Sequence, residues 1–281
     1  MTRKQMKSQA KSLMKNSTPR PVYVTVIYVV ILMAFAILSF KLISQPMNNF
    51  MNSQFGDLFV SYPDGTVEIS PDFEDRLYNL DYDAIIDAYR EQAPSMLARL
   101  LNLVIAAVQI VIGAGFIIFT LRTIDGQGAS YWNLFDGFEM FFRIVWLYIL
   151  MGIFTFLWTL LFLFPGIIAF YRYRMAVYLL LEHPEMSAMD CIRESKRLMK
   201  GHKWELFGFD LSFIGWALLI SFVNGFGSGL GLTLFGVVGL GYIGYVFFLP
   251  YTELSYSIYY RQLSAVPNAE ETWTGREQIY H

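Results

Sequence analysis

The chain has 281 residues, of which 55% are hydrophobic, 17% aromatic and only 16% charged, a composition that excludes an ordinary soluble domain and places the chain among membrane proteins. Its net charge of −2 gives no electrostatic footprint for nucleic acid, and no nucleic-acid partner is expected. A single cysteine, Cys191, excludes an intramolecular disulfide and any multi-cysteine metal or iron–sulfur centre.

A basic cytoplasmic tail, residues 1–21, holds Arg3, Lys4, Lys7, Lys11, Lys15 and Arg20 with no acid. The apolar run 22–43 that follows is longer than the apolar region of a signal peptide and lacks a small-residue cleavage site, so it reads as a retained anchor. A hydrocarbon core of about 30 Å takes about 20 helical residues to cross. Six runs approach that length: 22–43, 96–121, 144–164, 166–181, 206–224 and 234–260. The expected fold is therefore all-α, a polytopic membrane helix bundle with about six transmembrane helices, the last five within 96–260. An unbroken helix over 144–181 would be about 57 Å long, so a turn is placed at Pro165-Gly166, where a donor is missing and the backbone is permissive.

Charge orients the spans, because cytoplasmic loops carry the excess of Lys and Arg. Six spans put the N-terminus, the 122–143 loop, the 182–203 loop and the tail 261–281 on the cytoplasmic side, with Arg193, Lys196, Arg197, Lys200 and Lys203 beside the N-terminal basics. Five spans would put those five residues outside, against the rule. The extracytoplasmic insertion, 44–95, carries ten acids against Arg76 and Arg90. Within it, 58–62 and 66–70 alternate around Pro63-Asp64-Gly65 and read as a β-hairpin, and Ile85, Ile86 and Tyr89 mark a short helix. Its acidity fits a solvated outer face or a site for a cation or basic peptide.

In the 182–203 loop, Ser187-x-x-Asp190 is a variant capping box and Gly201 a plausible C′ residue, predicting a helix over 188–200. Met189, Ile192, Met199 and Cys191 form one face, and Arg193, Lys196, Arg197 and Lys200 another. These four basic residues are the candidate contact for anionic phospholipid headgroups, with a solvated basic loop as the alternative.

Gly239-Leu-Gly-Tyr-Ile-Gly244 has the spacing of a dinucleotide fingerprint but lies in an apolar span without the βαβ context, and is read as close helix packing. Gly225, Gly227, Gly229 and Gly231 read as an outer turn. The three histidines, His183, His202 and His281, all lie outside the spans, so no metal site, triad or cofactor is expected. Arg172, Arg174, Asp210 and Glu253 are charges within spans, a candidate intramembrane charge cluster in which Arg174 and Glu253 lie at equal depth and are expected to pair. Arg172, about 200° around the helix, is expected to face headgroups or Asp210.

From Trp132 to Arg261, the ordered set Phe135-Asp-Gly-Phe138, Phe164-Pro-Gly-Ile167, Tyr173-Arg-Met-Ala176, Glu182-His-Pro184, Ile192-Arg-Glu-Ser195, Leu198-Met-Lys-Gly201, Leu211-Ser-Phe-Ile-Gly-Trp216 and Pro250-Tyr251 resembles the bacterial membrane family catalogued as domain of unknown function 975. That family is itself distantly similar to the membrane domain of some glycerophosphoryl diester phosphodiesterases. The resemblance implies a multi-pass protein of the bacterial cell membrane and carries over no catalytic residue. The leading expectation is a non-enzymatic scaffold, regulator or lipid-contacting partner, with a membrane protein as a possible partner. The alternative is a small transporter or channel whose path is lined by the four intramembrane charges.

Overall fold

The computed structural model describes residues 1–61, 66–78, 81–229 and 241–265. The chain forms two compact units, one of residues 1–32 with 108–281 and one of residues 33–107. Helix α1 (Arg3–Asn16) precedes α2 (Pro21–Ser39), which passes through a π turn into α3 (Gln45–Phe55). Then come strands β1 (Phe59–Ser61) and β2 (Val67–Ile69) and helices α4 (Phe73–Tyr78), α5 (Tyr82–Gln92), α6 (Met96–Asp125) and α7 (Asn133–Asp136). Helices α8 (Phe141–Leu161), α9 (Leu163–Tyr173), α10 (Ala176–Glu182), α11 (Ala188–Leu198), α12 (Lys203–Leu211), α13 (Ile214–Gly229) and α14 (Gly241–Ser264) complete the described chain.

In the unit of residues 33–107, β1 and β2 pair antiparallel with Phe59 opposite Ile69 and Ser61 opposite Val67. The expected turn at Pro63-Asp64-Gly65 lies outside the described residues. Asp81 caps α5 by accepting from the Asp83 and Ala84 amides at 3.1 Å each, which starts the helix where the spacing of Ile85, Ile86 and Tyr89 places it. Phe50 of α3 packs edge-on to Tyr89 of α5, 5.5 Å between ring centroids.

The other unit is a helical assembly with a dry core in which Met6, Ala10, Leu147, Tyr173, Leu180, Ile192, Phe209 and Tyr260 are at most 2% exposed. Among the described residues, four helical stretches are long and apolar enough to cross a membrane by length and composition: Pro21–Phe55, Met96–Asp125, Asn133–Leu161 and Lys203–Val223. Six spans are not confirmed among the described residues, and the expected sixth, 234–260, begins outside them. The expected fourth span is two short helices, α9 and α10, separated at Arg174 and Met175, with the Arg172 carbonyl at the end of α9 taken by the Ser195 hydroxyl at 2.8 Å.

The expected turn at Pro165-Gly166 falls three residues earlier. Phe162 is extended (φ −160°, ψ 149°) and ends α8, while Pro165 sits in the first turn of α9, where a missing donor costs nothing because that amide has no helical acceptor. Gly166 is needed for contact and not for the bend: a Cβ there would lie 2.1 Å from the Thr159 hydroxyl oxygen. The glycine-rich stretch expected to pack span six lies partly outside the described residues, as does most of the C-terminal tail.

The basic N-terminus is a docked helix. Thr2 and Gln5 form a capping box, and Met6, Ala10, Leu13 and Met14 recur at helical spacing on the face packed into the core. The principal partner of α1 is α14. Lys7 donates to the Ser212 carbonyl at 3.1 Å, at the C-terminal end of α12 where a cation is favoured, and its ammonium lies 4.0 Å from the Phe213 ring centroid. Burial holds the Lys7 ammonium below the usual lysine range.

Candidate functional site: a tyrosine-lined charge cluster

Asp210 is placed by the last turn of α12, Arg174 by the break between α9 and α10, and Tyr256 by the middle of α14. The Asp210 carboxylate accepts from the Arg174 guanidinium at 3.0 Å, from the Tyr171 hydroxyl at 2.9 Å and from the Tyr256 hydroxyl at 2.7 Å. The guanidinium carbon of Arg174 also lies 4.3 Å from the Tyr256 ring centroid, a cation–π geometry that disperses its charge over the ring face. Both carboxylate oxygens are used, and the pair is three-quarters buried or more, with side-chain exposures of 25% and 20%.

The expected pairing of Arg174 with Glu253 is therefore corrected. Equal depth along two helices does not fix rotation about them, and Arg174 turns toward α12. Glu253 instead accepts from the Tyr178 hydroxyl at 2.9 Å. Nor does Arg172 join Asp210: its side chain makes no ion pair among the described residues, and its carbonyl holds Ser195. Of the four expected cluster members, two are in contact, one is near with its own tyrosine, and one stands apart.

Sequence reasoning missed the tyrosines and a second polar layer nearer the end of α14. There Ser257 shares a hydrogen bond with Thr120 at 2.9 Å, the Tyr260 hydroxyl donates to Glu182 at 2.6 Å, and Arg261 pairs with both Asp125 and Glu182. The signal was present in α14, where Glu253, Tyr256, Ser257, Tyr260 and Arg261 recur at intervals of three and four and make one polar seam on an otherwise apolar helix. The seam brings the ends of α6, α10 and α14 together.

The predicted basic helix forms as α11, starting as expected with the Ser187 hydroxyl accepting from the Asp190 amide at 3.2 Å. It stops at Leu198, two residues short of Lys200, and Gly201 follows with φ +89°. Its packed face is Cys191, Ile192, Ser195 and Met199, all buried, whereas Met189 is 41% exposed. That face meets α10, α8 and α9, so the apolar side expected to dip into headgroups is covered by protein. On the other side Arg193 pairs with Asp190 at 2.7 Å and Arg197 with Glu194 at 2.6 Å. Lys196 reaches over the Tyr173 ring at 5.4 Å, and Lys200 is exposed. The Ser187 hydroxyl, followed by Arg193, holds the Asp190 carboxyl below the usual carboxylate range, and burial pushes the Cys191 thiol up to about 11, which makes it unreactive at neutral pH.

A cavity of about 390 Å³ opens beside Asp210, lined among others by Tyr171, Phe207, Phe213, Thr252 and Tyr256. Neither Arg172, Arg174 nor Glu253 is among its lining residues. Among the described residues no group of three or more His, Cys, Asp or Glu side chains is arranged to hold a metal. The arrangement is thus a carboxylate held by three donors, suited to locking helices together, beside a largely apolar and aromatic cavity.

No curated protein and no solved structure matches the chain. Residues 160–266, which carry Arg172, Arg174, Asp210, Glu253 and all of α11, match the protein family described as a protein of unknown function, DUF975.

Proposed function

We propose that the protein is a non-enzymatic, multi-pass protein of the bacterial cell membrane, a scaffold, regulator or lipid-contacting partner belonging to the matched family. Its N-terminus is cytoplasmic in this reading, and the exposed basic side of α11 faces anionic phospholipid headgroups.

The observation that carries the reading is the closure of three of the four charges expected to line a path. Asp210 takes Arg174 and two tyrosines, and Glu253 takes Tyr178, whereas Arg193, with its side chain 71% exposed, and Lys200 are presented outward. Basic groups near an anionic surface contribute about 1 kcal/mol each. The test is the thermal stability of the full-length protein in detergent with added phosphatidylglycerol or phosphatidylcholine. Phosphatidylglycerol alone should raise the unfolding temperature, and Arg193→Glu with Arg197→Glu and Lys200→Glu should abolish that rise. An equal rise with both lipids, or one untouched by the reversals, contradicts the reading.

A second reading, a small transporter or channel, is favoured by the cavity beside Asp210. It requires Asp210 to release its donors to a solute, and proteoliposome flux that is lost in Asp210→Asn would support it.

A further inference from the structure

The α8–α9 hairpin is strongly apolar and exposed along much of its length, and its relation to α11 fixes how deep it can go. We propose that this hairpin enters the bilayer from the side that holds α11 and returns to the same side, so that its tip, residues 162–164, sits among lipid acyl chains without reaching the far surface.

Between residues 144 and 171 the sequence has no Asp, Glu, Lys or Arg. The tip is highly exposed in the isolated chain, with Leu160 at 72%, Phe162 at 74% and Phe164 at 78%. A connection that emerges into water is ordinarily built from polar and turn residues; this one is Leu-Leu-Phe-Leu-Phe-Pro-Gly. Part of its backbone is also tied locally. Only Phe162 leaves helical geometry, its amide donates to the Trp158 carbonyl at 3.2 Å, and the Gly166 amide donates back to the Phe162 carbonyl at 3.3 Å. Pro165 removes one further donor, and the Thr159 hydroxyl is tied to the Thr155 carbonyl at 2.8 Å. These local bonds lower the cost of placing the turn among acyl chains.

The depth follows from α11. Ser195 bonds the Arg172 carbonyl, and the Lys196 ammonium lies 5.4 Å from the Tyr173 ring and 6.0 Å from the Phe154 ring. Helix α11 also carries Asp190, Arg193, Glu194 and Arg197, so it stays on the water side of the hydrocarbon. What remains beyond the level of Phe154 and Tyr173 is residues 155–161 on one leg and 163–172 on the other, about 10 and 15 Å at 1.5 Å per residue. Half or less of the roughly 30 Å core is within their reach. The exposed stripe Phe142, Trp146, Ile149 and Ile153 lets α8 lie obliquely, with this stripe toward the acyl chains and α11 above it. A hairpin that enters and returns removes two crossings together, so the loops at 122–143 and 182–203 remain on one side, and this inference can fail while the proposed lipid contact stands.

The test uses full-length protein carrying single cysteines at Leu160, Phe162 or Phe164, reconstituted in liposomes of phosphatidylcholine and phosphatidylglycerol. The native Cys191 is fully buried and serves as a silent background, with Cys191→Ser as the second background. Spin labels at the three sites should be reached by oxygen and shielded from a water-soluble nickel complex, and a membrane-impermeant maleimide should label none of them from either face. Labelling at Phe162 or Phe164 from the face opposite to that which labels a cysteine at Lys200, or nickel access to the tip, would overturn the proposal.

Discussion

The Arg174 guanidinium lies 3.0 Å from the Asp210 carboxylate, joining the break between α9 and α10 to the last turn of α12. Breaking one side of such a shielded pair leaves an uncompensated charge, whereas removing both leaves none. Arg174→Leu or Asp210→Leu alone should each destabilise the protein by about 3 kcal/mol, and the double change should cost less than their sum. Arg174→Leu with Glu253→Leu should be closer to additive. Chemical unfolding in detergent, read as a double-mutant cycle, checks both.

The tyrosines are a separate test of the same cluster. A hydrogen bond to a charged group contributes about 1.5–3 kcal/mol, so Tyr256→Phe and Tyr171→Phe should each destabilise within that range. Tyr256→Leu, which also removes the ring facing the guanidinium, should weaken the Arg174→Leu effect.

Asp190 makes a pH prediction for α11. Its carboxyl is depressed by the Ser187 hydroxyl and then by Arg193, so the stabilisation it gives is present above the ordinary carboxylate value of about 3.9 and lost as pH falls through the lower folded value. Amide exchange in residues 188–198 should therefore stay slow down to mildly acidic pH and rise below it. Ser187→Ala should move that rise to higher pH.

Helix α1 should detach as a unit. Met6 and Ala10 are fully buried, and placing a carboxylate at Met6 would bury an unpaired charge. Met6→Asp should expose residues 3–16 to hydrogen exchange and limited proteolysis while α6 and α14 keep their protection. Lys7→Ala, which loses the Ser212 carbonyl and the Phe213 ring, should do so to a smaller extent.

The helical, apolar character of the chain was legible because long apolar stretches such as Phe156 to Ile168 need no partner to declare themselves. The start of α11 was legible because Ser187 and Asp190 act locally. The partner of Arg174 was not, since residue counts give depth along a helix and no rotation about it, and three helices had to be placed before Asp210 could be preferred to Glu253. Helix α1 was read as a tail because five cations dominate its composition. The spacing of Met6, Ala10, Leu13 and Met14, with Thr2 and Gln5 ahead of it, held the contrary signal. The turn at Phe162 was misplaced because Pro165 marks the first turn of a helix as readily as a break.

Contact between the outward basic groups of α11 and anionic lipid can be read directly. In nanodiscs, a photo-crosslinkable phosphatidylglycerol should mark the peptide carrying Arg193 to Lys200 more strongly than a matched phosphatidylcholine, and the triple reversal to glutamate should erase the difference. Equal marking by the two lipids, or a preference that survives the reversal, would contradict it.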